Sequence, residues 1–350
     1  MVECLPRPYR SLDAGSWFKL IGGASLQNLP SLANLALAYT LAGADCIDVS
    51  ADPAVIVEVR RAIDAAVRLM AAAPTERPFL MVSLSDGADL HFRKAHFSAE
   101  DCPSDCARPC LRICPVDAIA VGGVDRQRCY GCGRCGPVCP FGLIDFHAWQ
   151  PDPGTIGALL AACPVDAVEI HTHQGNLEGF HQLWAGLAPV LPRLQLLAIS
   201  FPDEPGMREH LHALWEVIRT STLAPAARTR LVWQIDGLPM SGDLARSTAT
   251  RAVQFALKVQ QWHLPGYLQL AGGTNDASVA LAREAMLNVS GVGYGSYARQ
   301  LIQLESETDS FERHPKLLRR AVERARALVC QLKPHLHQEG TASWLTMLSP

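Results

Sequence analysis

Two cysteine-rich runs near the middle of the 350-residue chain constrain its fold more than any other feature. CPSDCARPCLRICP begins at Cys102 and CYGCGRCGPVCP ends at Pro140, and together they hold eight of the twelve cysteines. The later run separates its cysteines by two, two and three residues, whereas the earlier run has three residues in every gap. In a reducing compartment, thiols this crowded are typical of metal or cofactor ligands rather than of disulfides.

The later run has the spacing of an iron–sulfur ligand loop. Its ligands would be Cys129, Cys132, Cys135 and Cys139, and the last is followed by a proline. One tight loop can reach three corners of a cubane, and the interspersed glycines let the backbone adopt positive φ near the sulfides. A pair of structural zinc knuckles is the alternative, although zinc usually takes two separated Cys-x-x-Cys pairs.

The earlier run ends in the same way as a bacterial ferredoxin half-motif. Cys114 precedes a proline, and in two-cluster ferredoxins such a cysteine ligates the cluster of the other run. This rule predicts one cluster on Cys102, Cys106, Cys110 and Cys139, and a second on Cys129, Cys132, Cys135 and Cys114. We expect two [4Fe–4S] clusters, with a three-iron cluster as the alternative for the stretched run. Clusters with a purely structural role also remain open.

Composition narrows the class of protein. The net charge of −3 and pI near 6.5 argue against a nucleic-acid binder with a dense basic surface. The most apolar stretch, residues 29–49, is interrupted by Asn34, Gly43 and Asp45, so we expect no membrane span. No secretory pattern opens the sequence, which predicts a cytoplasmic protein.

Eight short apolar runs, each followed by a helical pattern, predict the fold. Strands that are apolar throughout are typical of parallel strands covered on both faces, and eight βα units predict a (β/α)8 TIM-barrel-like domain. A doubly wound sheet is the alternative, but no Gly-x-Gly-x-x-Gly follows the first strand. The third unit is interrupted by a module that carries both cysteine runs and should lie at the barrel mouth. We expect the barrel over 18–96 and 150–300, a ferredoxin-like insert over 97–149, and extensions over 1–17 and 301–350.

The ends of the barrel strands carry further candidate residues. Two glycine-rich loops predict a site for a flavin phosphate or another phosphorylated ligand, although tight turns also need glycine; its residues would be Gly273, Thr274, Asn275, Gly293, Gly295 and Ser296. His171 and His173 with Asp236 could form an acid/base set or a solvated polar rim. His91 and His96 could contact a cluster or a quinone.

Several segments together resemble the cyanobacterial light-dependent period family of iron–sulfur proteins of circadian clock input. They include KLIGGASLQNLPSLANLALAYTLAGADCIDVSADPAVI, RPFLMVSLSDGADLHFRKAHF, both cysteine runs and VDAVEIHT. The resemblance implies a regulatory sensor whose clusters respond to the photosynthetic or quinone redox state and pass it to clock-input proteins, including a histidine kinase. It also implies that the stretched earlier run is a family feature.

The residues themselves leave two functions open. A redox sensor would use the clusters as its input and altered partner contacts as its output. A barrel oxidoreductase would use the clusters as an electron relay to a flavin or a substrate in the barrel mouth. We choose the sensor because of the family resemblance, which makes a catalytic role the less favoured hypothesis.

Overall fold

The computed structural model describes residues 5–149, 151–221, 229–238, 245–308 and 311–337. The final residues of the expected C-terminal extension, 338–350, and the first four of the N-terminal extension lie outside this part of the chain. Within it, no helix combines the length and the apolar character needed to cross a bilayer.

Eight parallel strands close into a barrel, which confirms the predicted fold class. The barrel strands are β1 (Trp17–Gly23), β2 (Cys46–Ser50), β3 (Phe79–Ser85), β8 (Ala167–His171), β9 (Leu196–Pro202), β10 (Arg230–Asp236), β11 (Tyr267–Ala271) and β12 (Gly291–Tyr294). Around the barrel they follow the order β1-β12-β11-β10-β9-β8-β3-β2, and each neighbouring pair is parallel. Almost every residue of these strands is buried, because helices cover the outer face and side chains fill the interior.

Helices link the strands and cover the barrel. They are α1 (Arg7–Asp13), α2 (Leu29–Ala42), α3 (Pro53–Leu69), α6 (Pro153–Ala162), α7 (Leu177–Gly186), α8 (Met207–Thr220), α9 (Arg246–Gln260), α10 (Ser278–Glu284), α11 (Ser296–Leu301), α12 (Gln303–Ser306) and α13 (Pro315–Val329). The start of α3 shows how the sequence sets a boundary. Asp52 accepts hydrogen bonds from the backbone of Ala54 and Val55, and Pro53 occupies the first helical position, where no N–H is needed.

The cysteine runs form a small module between β3 and α6. Its two antiparallel strand pairs are β4 (Arg93–His96) with β7 (Asp145–Ala148), and β5 (Ile119–Ala120) with β6 (Gly123–Val124). Two short helices, α4 (Pro109–Ile113) and α5 (Cys135–Val138), pack against each other. Residues 93–96, which we expected in the barrel, therefore pair within the insert instead.

The insert is held against the barrel end from which the loops after the strands emerge. Lys94 donates to the side chain of Gln27 at 2.7 Å and to the backbone oxygen of Arg126. The backbone N–H of Gln27 donates to the oxygen of Gln127 at 3.1 Å. Because Gln27 lies in the loop after β1, these bonds fix the module at the barrel mouth, where barrel active sites lie.

Candidate iron–sulfur site and barrel mouth

Four cysteines from the two runs line one cavity inside the insert. They are Cys114, Cys129, Cys132 and Cys135, and the apolar side chains of Ala118 and Phe146 complete the wall. Cys114 belongs to the earlier run and lies at least 15 residues before the other three thiols of the cavity. This grouping joins the last thiol of the earlier run with the three closely spaced thiols of the later run.

The two runs follow a common local geometry around their last cysteines. Cys114 follows α4 and Cys139 follows α5. The Sγ of Cys114 accepts a hydrogen bond from the N–H four residues later at 3.2 Å, and that of Cys139 accepts the equivalent bond at 3.4 Å. Three residues after each cysteine the backbone turns left-handed, with φ of +48° at Asp117 and +63° at Gly142. The module thus has two equivalent halves, as in a two-cluster ferredoxin.

Three of the remaining thiols, Cys102, Cys110 and Cys139, lie near one another. Burial raises the pKa of Cys110, and the nearby thiols of Cys139 and Cys102 add to this effect because two thiolates would repel each other. Cys106 accepts a hydrogen bond from the backbone N–H of Arg108 at 3.4 Å. Cys139, although it belongs to the later run, therefore lies close enough to Cys110 to raise the pKa of that thiol.

The four-thiol cavity fits a bound metal cluster. Burial raises the pKa of Cys135 to about 12, and Cys132 and Cys129 add to the rise. Thiolates this close are stable together only when a cation compensates their charge. Gly131 has a φ of +72°, and a Cβ there would overlap the carbonyl oxygen of Arg93. Only glycine lets this loop run so close to β4, where the backbone N–H of Ala95 donates to the Sγ of Cys129 at 3.4 Å.

The barrel interior holds a buried charged network that the sequence analysis missed. Lys19 on β1 donates to Glu169 on β8, lies 2.9 Å from Asp48 on β2, and donates to Gln234 on β10 at 2.9 Å. Burial alone would lower the pKa of Lys19, but the two carboxylates overcome that effect and raise it. A sequence signal existed, because each of these charged residues lies within an otherwise apolar strand.

Asp89, in the loop after β3, gathers three histidines at the barrel mouth. Its carboxylate lies 2.8 Å from His91 Nδ1, 3.6 Å from His171 Nδ1 and 2.9 Å from His173 Nε2. Burial would raise the pKa of Asp89, but hydrogen bonds from these histidines hold it well below its usual range. Hydrogen bonding to Asp89 and Glu204 raises the pKa of His173 to about 9, despite partial burial.

These contacts change the expected roles of the mouth histidines. Only 7% of the His171 side chain is exposed, so its interpretation as part of a solvated rim is wrong. Asp236 lies 3.5 Å from His91 Nε2, whereas His173 is paired with Asp89 and Glu204. His91 faces the barrel mouth, and His96 stacks on His147 at the surface of the insert.

Some residues of the predicted phosphate-binding loops line the mouth cavity, and others form hydrogen bonds that hold the loops together. Gly273, Thr274, Gly295 and Ser296 line the mouth cavity. Thr274 donates to the oxygen of Gly293 at 2.6 Å, and the Asn275 side chain donates to the oxygen of Ala245 at 2.8 Å. Two of the predicted polar groups are therefore already used to hold loops together. A flavin or phosphate ligand stays a prediction.

Tyr130 connects the thiol loop with the barrel mouth. It lies between Cys129 and Cys132 in the chain and lines both the thiol cavity and the mouth cavity. The guanidinium of Arg299 lies 4.9 Å from the Tyr130 ring centroid. Arg299 also donates to the backbone oxygen of Ile21 at the end of β1 at 2.9 Å and to Ser296 at 3.1 Å. A shift of the thiol loop would thus reach the barrel strand ends.

Comparison with known proteins relates both parts of this architecture to described families. The LdpA Fe-S cluster-binding domain matches residues 102–150, and the light dependent period A C-terminal domain matches residues 159–331. Light dependent period A from Synechococcus elongatus is 46% identical over 338 residues, covering 93% of this chain and 94% of that protein.

Two ferredoxins are similar to short stretches of the chain. An uncharacterized ferredoxin from Methanocaldococcus jannaschii is 50% identical over 40 residues, covering 10% of this chain and 26% of the ferredoxin. A ferredoxin from Saccharopolyspora erythraea is 38% identical over 58 residues, covering 15% of this chain and 55% of the ferredoxin. With the near full-length match, these findings show that the chain is an iron–sulfur protein belonging to the light dependent period A family.

Proposed function

We propose that the protein is a regulatory redox sensor of circadian clock input whose iron–sulfur clusters register the photosynthetic or quinone redox state. The supporting observation is that Tyr130 borders both the thiol cavity and the barrel mouth. The ligands would be Cys102, Cys106, Cys110 and Cys139 for one cluster, and Cys129, Cys132, Cys135 and Cys114 for the other. Both clusters would be [4Fe–4S], with a three-iron cluster as the alternative for the first.

The residues around the thiol cavity suit a redox input. A bound cluster supplies a one-electron change of charge. Lys94 precedes Ala95, whose N–H donates to Cys129, and its ammonium is almost fully buried beside the Trp149 ring at 4.9 Å. Such a buried positive charge favours the more negative, reduced state of the site. Hydrogen bonds from backbone N–H groups to the thiolates act in the same direction.

The Tyr130–Arg299 contact offers a route from the insert to the barrel. Arg299 holds the end of β1 through the oxygen of Ile21, so displacement of Tyr130 would change the packing at the barrel mouth. A sensor needs an element with two arrangements whose relative free energies depend on the input. We propose that this contact is part of that element, and that the affected surface binds clock-input proteins, including a histidine kinase, in the cytoplasm. A nucleic-acid partner is not expected from the net charge of −3.

The sensor proposal predicts that partner binding depends on redox state. Anaerobically purified full-length protein would be prepared in an oxidised state and, by addition of dithionite, in a reduced state. Its affinity for a quinone-responsive histidine kinase would be measured in each state. We expect a several-fold difference in Kd that disappears in Cys132→Ser. Equal affinities in both states would contradict the proposal. Hydrogen exchange around residues 129–135 and 296–301 in the same samples would report whether the insert and the barrel mouth respond together.

A barrel oxidoreductase is the second candidate, and the mouth cavity is the observation that favours it. The cavity volume is about 90 Å³, below the roughly 300–1,000 Å³ of small-molecule pockets, so the lining of the cavity rather than its size favours an enzyme. It is lined by Tyr130 and by acid/base groups of the barrel, including Glu169, His171 and Asp236. A flavin absorbance band in anaerobically purified protein, with turnover of a pyridine nucleotide, would favour the enzyme over the sensor.

A further inference from the structure

A cluster of metal-ligand side chains lies at the barrel mouth, away from the cysteines. One ligand atom each from Asp89, His91 and His171 lies within 4.8 Å of the others. Asp89 and His91 come from the loop after β3, and His171 ends β8. The Asp89 carboxylate also accepts a hydrogen bond from the backbone N–H of His91 at 2.6 Å, which fixes these two side chains relative to each other.

Both histidines are oriented as metal-ligating histidines usually are. In each, Nδ1 faces Asp89, at 2.8 Å for His91 and 3.6 Å for His171. The opposite nitrogen of His171 lies 2.8 Å from Glu169, and that of His91 lies 3.5 Å from Asp236. A carboxylate behind each imidazole sets the tautomer and ring orientation and makes the free nitrogen a better ligand.

The third ligand, the Asp89 carboxylate, also has a neighbouring group that orients it. The Asp89 oxygen that faces His171 is 2.9 Å from His173 Nε2, and the other nitrogen of His173 lies 2.8 Å from Glu204. All three donor groups therefore have a second polar partner beside them, by hydrogen bond for His171 and Asp89 and at an ion-pair distance for His91. Two histidines and one carboxylate on one side of a site are a donor set that binds divalent transition metals and leaves further positions open.

The charge around the cluster suits a cation. Four carboxylates are buried in and around the barrel mouth, namely Asp48, Asp86, Glu169 and Asp236, and only 5% of the Asp89 side chain is exposed. Lys19 pairs with two of them, Asp48 and Glu169. Buried carboxylates are stable when they are paired or coordinate a metal ion. Because two of the three donors are imidazoles, the site should prefer Zn²⁺ or Fe²⁺ over Mg²⁺ or Ca²⁺.

We propose that Asp89, His91 and His171 bind one divalent transition-metal ion at the barrel mouth. Its open coordination positions would face the cavity that Tyr130 shares with the thiol loop, because His91, His171 and Tyr130 all line that cavity. A water molecule or an oxygen-bearing ligand would complete the coordination. Hydrogen bonding of protonated histidines to Asp89 is the competing explanation, and it predicts no metal affinity.

The test is a Mn²⁺ titration of anaerobically purified protein with intact clusters. Binding is monitored by the loss of the EPR signal of free Mn²⁺. Manganese avoids thiolates, and Zn²⁺ calorimetry provides an independent measurement. We expect one ion per chain in the wild type and at least a hundredfold weaker binding in Asp89→Asn and in His91→Ala. Asp236→Asn, which removes only the partner of a ligand, should weaken binding roughly 10- to 100-fold.

His96→Ala is the matched control, because His96 stacks on His147 at the insert surface and that pair could bind metal adventitiously. It should leave the affinity unchanged. Iron and sulfide content, together with circular dichroism, verifies that each variant is folded. If Asp89→Asn is unstable, the metal affinity of His91→Ala alone decides, because His91 is partly exposed and its replacement should disturb the fold less. The proposal is overturned if the wild type binds neither ion, or if Asp89→Asn and His91→Ala bind as tightly as the wild type.

Discussion

Gly131→Ala tests whether the thiol loop depends on its close approach to β4. The backbone φ at Gly131 is +72°, a conformation that costs an alanine about 1–2 kcal/mol. The new Cβ would also overlap the carbonyl oxygen of Arg93 and lie 3.0 Å from its carbonyl carbon. Arg93 pairs with Ala148 in the β4–β7 sheet, so its backbone cannot move freely.

The two effects give an expected magnitude. The backbone and side-chain shifts that remove a steric overlap in a packed region typically cost about 1–3 kcal/mol of stability. With the cost of positive φ, the native loop should be destabilised by about 2–5 kcal/mol. Since each 1.4 kcal/mol is a factor of ten, the population of the native loop relative to opened forms should fall roughly thirtyfold to a few thousandfold.

The assay is the rate of iron loss to a chelator under anaerobic conditions, with iron and sulfide quantified at the start. Gly142→Ala is the matched control, because Gly142 also has positive φ, at +63°, but a Cβ there meets no atom within 4 Å. It should bear only the cost of positive φ, about 1–2 kcal/mol, and therefore lose iron more slowly than Gly131→Ala. If Gly131→Ala retains its clusters as well as Gly142→Ala does, the reasoning about close approach is refuted.

Three further predictions concern buried charges. Asp45→Asn should lower the free energy of unfolding by about 3–5 kcal/mol, since it leaves the buried Lys333, now 2.6 Å from Asp45, without its anion; denaturant titration checks this. Burial raises the pKa of Asp86 from 3.8 to about 6, so its folded state favours the proton and stability should fall by about 1 kcal/mol from pH 5 to pH 7. Asp86→Asn should remove that decrease, and an unchanged pH profile would contradict it. Lys94→Met should lower the reduction potential of the neighbouring cluster, on the order of tens of millivolts, in a redox titration.

The fold and the thiol module were predictable because their signals are local. Apolar runs such as FKLIGG and CIDVS identify parallel strands covered on both faces, and their number determines barrel closure. The cysteine spacing likewise identifies a cluster-binding loop, and the match to an Fe-S cluster-binding domain confirms that identification. Both signals lie within short stretches of the chain.

The barrel mouth was not predictable in the same way. Asp89 meets His91 two residues away but reaches His171 and His173 only because β3 and β8 are neighbours in the closed barrel. Nothing in the stretch around Asp89 shows that three histidines converge on it. The predicted boundary between barrel and insert, after residue 96, was wrong for a related reason. The sequence of β4 is strand-like, but β4 pairs with β7, about 50 residues further along the chain.

Exchange of cysteine ligands between the two runs is the central claim, and EPR spectra of four variants test it most directly. Cys106→Ser and Cys132→Ser would first assign one signal to each run in anaerobically prepared protein. The account predicts that Cys114→Ser then reproduces the spectrum of Cys132→Ser, and that Cys139→Ser reproduces that of Cys106→Ser. The opposite pairing, in which each substitution removes the signal of its own run, would contradict it.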